Sequence, residues 1–115
     1  MKPNTVFISI DAADFAAQSD WYSRFLGRKW DREPMPSCHE WDLTGDVLFQ
    51  VLDNPGQKGG ATVTVRVDDL DAEIARLDTS EIKVPEPVKV EGFDTLRYAE
   101  MKDPEGNKVG LLDGK

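Results

Sequence analysis

The sequence has one cysteine, no long hydrophobic run and a shortage of positive charge. The lone cysteine, Cys38, excludes an intramolecular disulfide. The apolar stretch from Val6 to Ile10 is too short for the core of a signal peptide, and no run is long enough to span a membrane. We therefore expect a protein of the reducing cytoplasm.

The charge balance is acidic, with 14 Lys and Arg against 22 Asp and Glu, and a formal net charge of −8. This balance argues against nucleic acid and anionic membranes as partners, and it mildly favours cationic or neutral ones. Several acids lie in the first half of the chain. We interpret them as a solvated surface; the alternative is a site that attracts a cationic ligand. These residues are Asp31, Glu33, Glu40, Asp42 and Asp46.

An internal repeat is the strongest architectural signal. At 115 residues, with 39% apolar residues, the chain is long enough for one domain or for two small halves that share a core. Each half predicts the order strand, helix, strand, strand, strand. Module one spans about residues 4–53, the Gly-rich stretch 54–60 forms a linker, and module two spans about residues 61–113 within a single domain.

The individual elements follow from periodicity and turn residues. In module one we predict a helix that is capped by Asp14 and stopped by Gly27. Pro34 and Pro36 should end the second strand. The predicted strands are 5–10, 29–33, 38–43 and 47–52 in module one, and 62–67, 85–90, 95–101 and 109–112 in module two, whose helix begins near Leu70.

Three motifs resemble those of the vicinal oxygen chelate superfamily, which includes glyoxalase I, extradiol dioxygenases and bleomycin resistance proteins. They are the helix end Trp-Tyr-Ser-Arg-Phe-Leu-Gly at 21–27, the strand-to-helix segment 67–72 with Leu77, and Arg97 followed by Asp-Pro-Glu-Gly-Asn at 103–107. The resemblance implies an α+β fold. It consists of tandem βαβββ modules that form an open, curled mixed sheet around a cup, with the helices on the outer face. It also implies a homodimer.

The resemblance also marks four positions where metal-dependent members carry His, Gln or Glu. In this sequence they fall on Phe7, Gln50, Thr62 and Gly110. Phe has no donor atom, Gly has no side chain, and Thr alone is a poor ligand for a divalent ion. We therefore expect no metal, no cofactor and no catalytic residue of the family type.

Strand alternation predicts which side chains line the cup. Val63, Val65 and Val67 should face the helix, which leaves Thr62, Thr64 and Arg66 for the cup. Arg66 would pair with a carboxylate or hold an anionic ligand group. Aromatic walls bind planar ligands, and plain core is the alternative role for the tryptophans. The predicted ligand-binding residues are Phe7, Ser9, Trp30, Trp41, Gln50, Thr62, Thr64, Arg66 and Tyr98.

The adjacent Cys38 and His39 should point to opposite faces of one strand, so they form no dyad. We interpret Cys38 as a buried inert thiol and His39 as an exposed or strand-edge residue, with a general base as the alternative. Arg97 and Tyr98 also face opposite ways, and the sequence does not decide which of them reaches the cup.

The first functional hypothesis is a metal-free protein that binds and sequesters a small aromatic or cationic molecule, as bleomycin resistance proteins do. The second is a lyase or oxidoreductase of the glyoxalase or dioxygenase type with an atypical site. That site could draw only on Gln50, Glu40, His39 and Glu100. The third is a structural or regulatory dimer with a vestigial cup. Whether the protein is an enzyme stays open at this point, although the missing ligands favour a binding protein.

Overall fold

Each half of the chain contains one helix and four strands in the same order. The computed structural model describes Lys2 and residues 5–115, so the predicted start of module one at residue 4 lies outside the described residues. The chain divides into two compact units, Met1–Gly59 and Gly60–Lys115, which we call module one and module two. The predicted α+β class with tandem βαβββ modules is confirmed, and each module carries its own four-stranded open sheet.

Module one has the strand order β1-β4-β3-β2, with β1 parallel to β4 and the other neighbours antiparallel. Its elements are β1 (Val6–Ala12), α1 (Phe15–Leu26), β2 (Arg32–Met35), β3 (Cys38–Thr44) and β4 (Val47–Asp53).

Module two repeats this arrangement with the order β5-β8-β7-β6, and β5 is parallel to β8. Its elements are β5 (Thr62–Arg66), α2 (Leu70–Thr79), β6 (Val88–Lys89), β7 (Arg97–Lys102) and β8 (Lys108–Asp113). No helix among the described residues is long and apolar enough to cross a membrane.

Both helices begin and end where local chemistry dictates. The Asp14 carboxylate accepts from the Ala17 N–H, and Asp69 accepts from the Ala72 N–H at the start of α2. These side chains satisfy backbone donors that lack a partner in the first turn. Gly27 ends α1 with φ of 81°, a left-handed conformation that glycine adopts without a steric penalty.

An aromatic core joins α1 to the sheet of module one. Tyr22 is fully buried and its ring centroid lies 4.9 Å from that of Phe49 on β4. Phe49 also contacts Trp41 on β3, because these two residues face each other in the β3–β4 register. Each such side chain contributes about 1.5–3 kcal/mol by leaving water.

Module two has an aliphatic core instead. Leu70 and Leu77 of α2 are fully buried, as is Val109 on the facing side of β8, and Leu111 on the same side is 3% exposed. Val63 on β5 lies on the same side, as the alternation of Thr62 to Arg66 predicted. The faces of the two sheets that turn away from α1 and α2 are called the open faces below.

Two predictions of local structure are wrong. Strand β2 runs from Arg32 to Met35 and so includes Pro34, which the sequence analysis placed at its end. An edge strand tolerates proline because one side of the strand needs no hydrogen-bond donor. Glu40, expected on a solvated surface, is only 7% exposed.

Candidate functional site

A row of polar side chains crosses all four strands on the open face of module one. The strand register places Ser9 beside Gln50, Gln50 beside Glu40, and Glu40 beside Arg32. The Ser9 hydroxyl donates to Gln50 Oε1 at 2.7 Å, and Gln50 Nε2 donates to Glu40 Oε2 at 2.5 Å. Both ends of the Gln50 amide are therefore engaged in this row.

Arg32 continues the row at the other edge of the sheet. Its guanidinium contacts Glu40 at 3.2 Å and Asp42 at 2.6 Å. These hydrogen bonds and the two carboxylate charges raise the pKa of Arg32. The buried Glu40 carboxylate thus has a partner on each side, as a charged group with little exposure to water requires.

A hollow of about 400 Å³ opens beside this row and has a mixed lining. We call it the open-face hollow. Phe7 provides an aromatic ring that is 57% exposed, and Arg32 is the one cation among the described residues of the lining. The residues used below are Phe7, Arg32, Glu40, Asp42, Asp46 and Leu48.

A tyrosine ring covers the centre of the open face of module two. Gly110 lies beside Thr64 on β5 and beside Glu100 on β7. A Cβ atom built on Gly110 would come within 2.5 Å of the Tyr98 ring, so only glycine leaves room for it. The Tyr98 hydroxyl donates to Glu100 at 2.7 Å. Burial, followed by this carboxylate, raises the pKa of Tyr98.

Arg97 points the other way, which settles the choice that the sequence left open. Its guanidinium contacts Asp113 at 2.8 Å and Asp71 of α2 at 3.2 Å, on the helix side of the sheet. The bonds from Arg97 and from the Leu70 N–H lower the pKa of Asp113. Arg97 is thus a structural residue, and Tyr98 belongs to the open face.

Arg66 also lies on the open face of module two, as expected. Its guanidinium donates twice to the carbonyl oxygen of Gly114, at 3.0 and 2.8 Å. The expected carboxylate partner is therefore replaced by a backbone carbonyl next to the end of β8.

The strand registers show which positions of the two modules correspond. Ser9 pairs with Gln50 as Thr64 pairs with Gly110, so Gln50 and Gly110 occupy equivalent places. Phe7 and Thr62 are equivalent by the same alignment. These four positions carry the phenyl ring of Phe7, the hydrogen-bonded amide of Gln50 and the hydroxyl of Thr62, while Gly110 has no side chain. This donor set does not fit a divalent metal ion.

The described residues contain no group of three or more His, Cys, Asp or Glu side chains that could hold a metal. Glu40, Gln50 and Glu100 hydrogen-bond to neighbouring protein groups instead.

The predictions for the tryptophans need correction. Trp41 is fully buried on the helix side of the sheet, and its indole N–H donates to the Arg28 carbonyl oxygen. It belongs to the core and lines no ligand surface. Trp30 lies before β2 and not within a strand, and it stacks on His39 on the α1 side.

His39 is only 6% exposed, so its placement at an exposed edge is also wrong. Its Nδ1 lies 2.7 Å from the Ser19 hydroxyl and its Nε2 lies 2.9 Å from a Glu33 oxygen. Ser19 belongs to α1 and Glu33 to the neighbouring strand β2, so these contacts depend on how the elements pack and do not follow from periodicity. Cys38 is buried as predicted, and burial raises the pKa of its thiol.

A second hollow, of about 590 Å³, lies between α1 and the β2–β3 side of module one. We call it the α1 hollow. Sequence reasoning missed it, because its lining comes from a helix, a loop and two strands. Its lining includes Phe15, Ser19, Lys29, Trp30, Glu33 and His39.

Solved structures with the same fold include both binding proteins and an enzyme. A glyoxalase/bleomycin resistance protein from Catenulispora acidiphila has a TM-score of 0.87 at 22% identity, covering 98% of this chain and 100% of its own. A bleomycin-binding protein in complex with bleomycin has a TM-score of 0.75 at 17% identity, covering 100% of both chains. A lactoylglutathione lyase from Agrobacterium tumefaciens has a TM-score of 0.76 at 18% identity, with 98% and 96% covered.

No protein of curated function matches the sequence significantly. The model of one protein family, described as a glyoxalase-like domain, matches residues 7–112. This match and the shared fold confirm the resemblance to the vicinal oxygen chelate superfamily. Because the match spans nearly the whole chain, the protein belongs to the glyoxalase-like domain family.

Proposed function

We propose that this protein binds a small aromatic or cationic molecule on its open faces without a metal ion and sequesters it. One observation carries this proposal. The Tyr98 ring lies over Gly110, the position that the resemblance to the superfamily marks for a metal ligand. In the equivalent place of module one, the Gln50 amide is held between Ser9 and Glu40.

The open-face hollow of module one suits a cationic ligand with an apolar part. Three carboxylates line it, from Glu40, Asp42 and Asp46, against the single guanidinium of Arg32. Phe7 and Leu48 supply apolar surface, which small ligands need for most of their buried area. The net charge of −8 attracts a cation toward the same surface.

The open face of module two offers an aromatic and hydroxyl-bearing surface. Tyr98 on β7 contributes one face of its ring, and Thr62 and Thr64 contribute hydroxyl groups from β5, on the other side of β8. Aromatic rings in this position would stack on a planar ligand, while the hydroxyls would bind its oxygen atoms. Arg66 is available only if it releases the Gly114 carbonyl.

A test is a thermal-shift screen of aromatic and cationic antibiotics and metabolites in the presence of EDTA, followed by calorimetry on each hit. Phe7→Ala should weaken binding by about tenfold or more, since it removes a large apolar contact. Phe93→Ala is the matched control, because Phe93 is 56% exposed and lies in the loop between β6 and β7, outside the strands of both sheets. Equal affinity of Phe7→Ala and Phe93→Ala would remove the open-face hollow from the binding site.

A second candidate function is a lyase or oxidoreductase with an atypical site. The observation that favours it is the Tyr98–Glu100 pair, since a phenol bonded to a carboxylate can exchange a proton with a substrate. Activity toward a hemithioacetal or catechol that survives EDTA and disappears in Tyr98→Phe would establish this function in place of sequestration.

We also propose that the chain forms a homodimer through the edge strand β1. Val6, Phe7 and Ile8 are all at least 40% exposed on this edge, where an open sheet can accept a partner. Sedimentation equilibrium should give twice the chain mass, and a monomer at micromolar concentration would reject the proposal. The cytoplasmic location expected from the sequence stays a prediction.

A further inference from the structure

We propose that the α1 hollow is a second binding site, for a small aromatic molecule that carries an ammonium group. It lies on the helix side of the module-one sheet, whereas the open-face hollow lies on the opposite side. The inference stands apart from the proposed function, because it rests on different residues and a different hollow. At about 590 Å³ the hollow has the size of a small-molecule pocket.

A stack of rings forms a rigid wall of this hollow. The His39 ring lies parallel to Trp30 with centroids 3.5 Å apart, and the Phe15 ring lies 4.4 Å from His39 on a tilted plane. Ser19 and Glu33 hold the two nitrogens of His39, so the imidazole has one orientation. A wall that is ordered before binding costs a ligand little conformational entropy.

The free face of Trp30 already holds a positive charge. The Lys29 ammonium lies 4.7 Å from the centroid of the Trp30 ring, which is the geometry of a cation–π contact. Lys29 is exposed and has no ion pair among the described residues, so its side chain can turn into solvent. A ligand ammonium attached to an aromatic ring would take over this place and add its own ring to the stack.

Glu33 is the group that would bind the ligand ammonium. Its side chain is 45% exposed, and its hydrogen bond to His39 uses only Oε2. The other carboxylate of the lining, Asp20, is already paired with Arg24 at 3.0 Å. A charge-assisted hydrogen bond to Glu33 Oε1 would therefore select a cation over a neutral analogue.

The experiment titrates the full-length protein with 2-phenylethylamine and follows the three tryptophan indole N–H signals by ¹H–¹⁵N NMR. The Trp30 signal, identified with Trp30→Phe, should shift with saturation, while that of Trp21 in the core should stay in place. The neutral analogue 2-phenylethanol should bind at least about tenfold more weakly, because it lacks the charged hydrogen bond.

Two variants and one control complete the test. Glu33→Gln should weaken binding of the amine by about tenfold, and Lys29→Met should strengthen it by about two- to fivefold because the competing ammonium is gone. Glu86→Gln removes an exposed carboxylate far along the chain and should change nothing. An unmoved Trp30 signal, equal binding of the alcohol, or unchanged affinity in both variants would overturn the inference. An amine that binds only the open faces would overturn it too, while leaving the proposed function intact.

Discussion

The open faces of the two modules carry different side chains at equivalent backbone positions. In module one the row runs from Ser9 through Gln50 to Glu40, and in module two it runs from Thr64 through Gly110 to Glu100. Both rows thus carry a glutamate on their third strand. Gln50 engages Glu40 in one module, whereas the Tyr98 hydroxyl engages Glu100 in the other.

This difference shows how a single position, occupied by glutamine in module one and glycine in module two, changes the chemistry of a backbone arrangement that both modules share. A glutamine at the centre gives a continuous hydrogen-bonded row across the sheet. A glycine at the same place gives room for an aromatic ring from the next strand, and the face becomes a stacking surface. Neither arrangement leaves a free donor set for a metal ion.

The helix sides differ as well. Module one packs α1 through aromatic rings, among them Tyr22, Trp41 and Phe49. Module two packs α2 through Leu70 and Leu77 and ties β8 to the start of the helix by Asp113. The α1 hollow lies beside this aromatic core, and the rings of Phe15, Trp30 and His39 form part of its wall.

The largest expected effect comes from the aromatic core. Trp41→Ala should lower the free energy of unfolding by about 3–5 kcal/mol, because it empties a fully buried site. Urea unfolding followed by circular dichroism measures this. Trp30→Ala, which removes a half-buried ring, should cost clearly less. Equal losses in the two variants would contradict the assignment of Trp41 to the core and of Trp30 to the α1 hollow.

Gly110→Ala tests the central feature of module two. The new Cβ would collide with the Tyr98 ring, so the free energy of unfolding should fall by about 1–3 kcal/mol. Adding Tyr98→Ala to this variant should remove most of the cost relative to Tyr98→Ala alone. Strict additivity in this double-mutant cycle would show that the ring does not occupy the space above Gly110.

The pH dependence of the free energy of unfolding should distinguish Asp113 from the acids of the open faces. Arg97 lowers the pKa of Asp113 in the folded state. The contribution of the Asp113 carboxylate to stability is therefore present above its unfolded-state pKa of about 3.9, and it is lost as the pH falls through the lower pKa of the folded state. Stability should drop between about pH 5 and pH 2, and Asp113→Asn should reduce that drop. Unfolding curves at both pH values check this, and an unchanged drop would contradict it.

The smallest effect is expected at the exposed end of the module-one row. Ser9→Ala removes a single neutral hydrogen bond to Gln50 and should cost less than about 1 kcal/mol. A loss as large as that of Gly110→Ala would mean that the polar row of module one is as tightly packed as the tyrosine of module two.

Local signals were sufficient to predict much of this fold. Asp14 and Gly27 gave the bounds of α1 correctly, because caps act within a few residues. The repeat gave the module order, and alternation gave the face of Thr62, Thr64 and Arg66. Pro34 led to a wrong end for β2, because a strand tolerates proline at a sheet edge and the sequence does not show which strand lies there.

The wrong site predictions concern Trp30, Trp41 and His39, whose positions depend on contacts between separate elements. Trp41 lies on the same side of the sheet as its register partner Phe49, whose ring contacts Tyr22 of α1. The alternation of Trp41 with the acids Glu40 and Asp42 was the signal that could have placed it in the core. The contact of Tyr98 with Gly110 joins neighbouring strands diagonally, and the His39 cluster joins three elements. Such contacts follow only from the tertiary structure.

The most direct test of metal-free binding is equilibrium dialysis of the purified protein against Zn²⁺, Ni²⁺, Mn²⁺ and Fe²⁺, followed by metal analysis by mass spectrometry. Phe7, Thr62 and Gly110 supply no strong ligand, and Gln50 is held by its neighbours. The account predicts far less than one ion per chain for each metal. A stoichiometric ion that is lost in Gln50→Ala would contradict it.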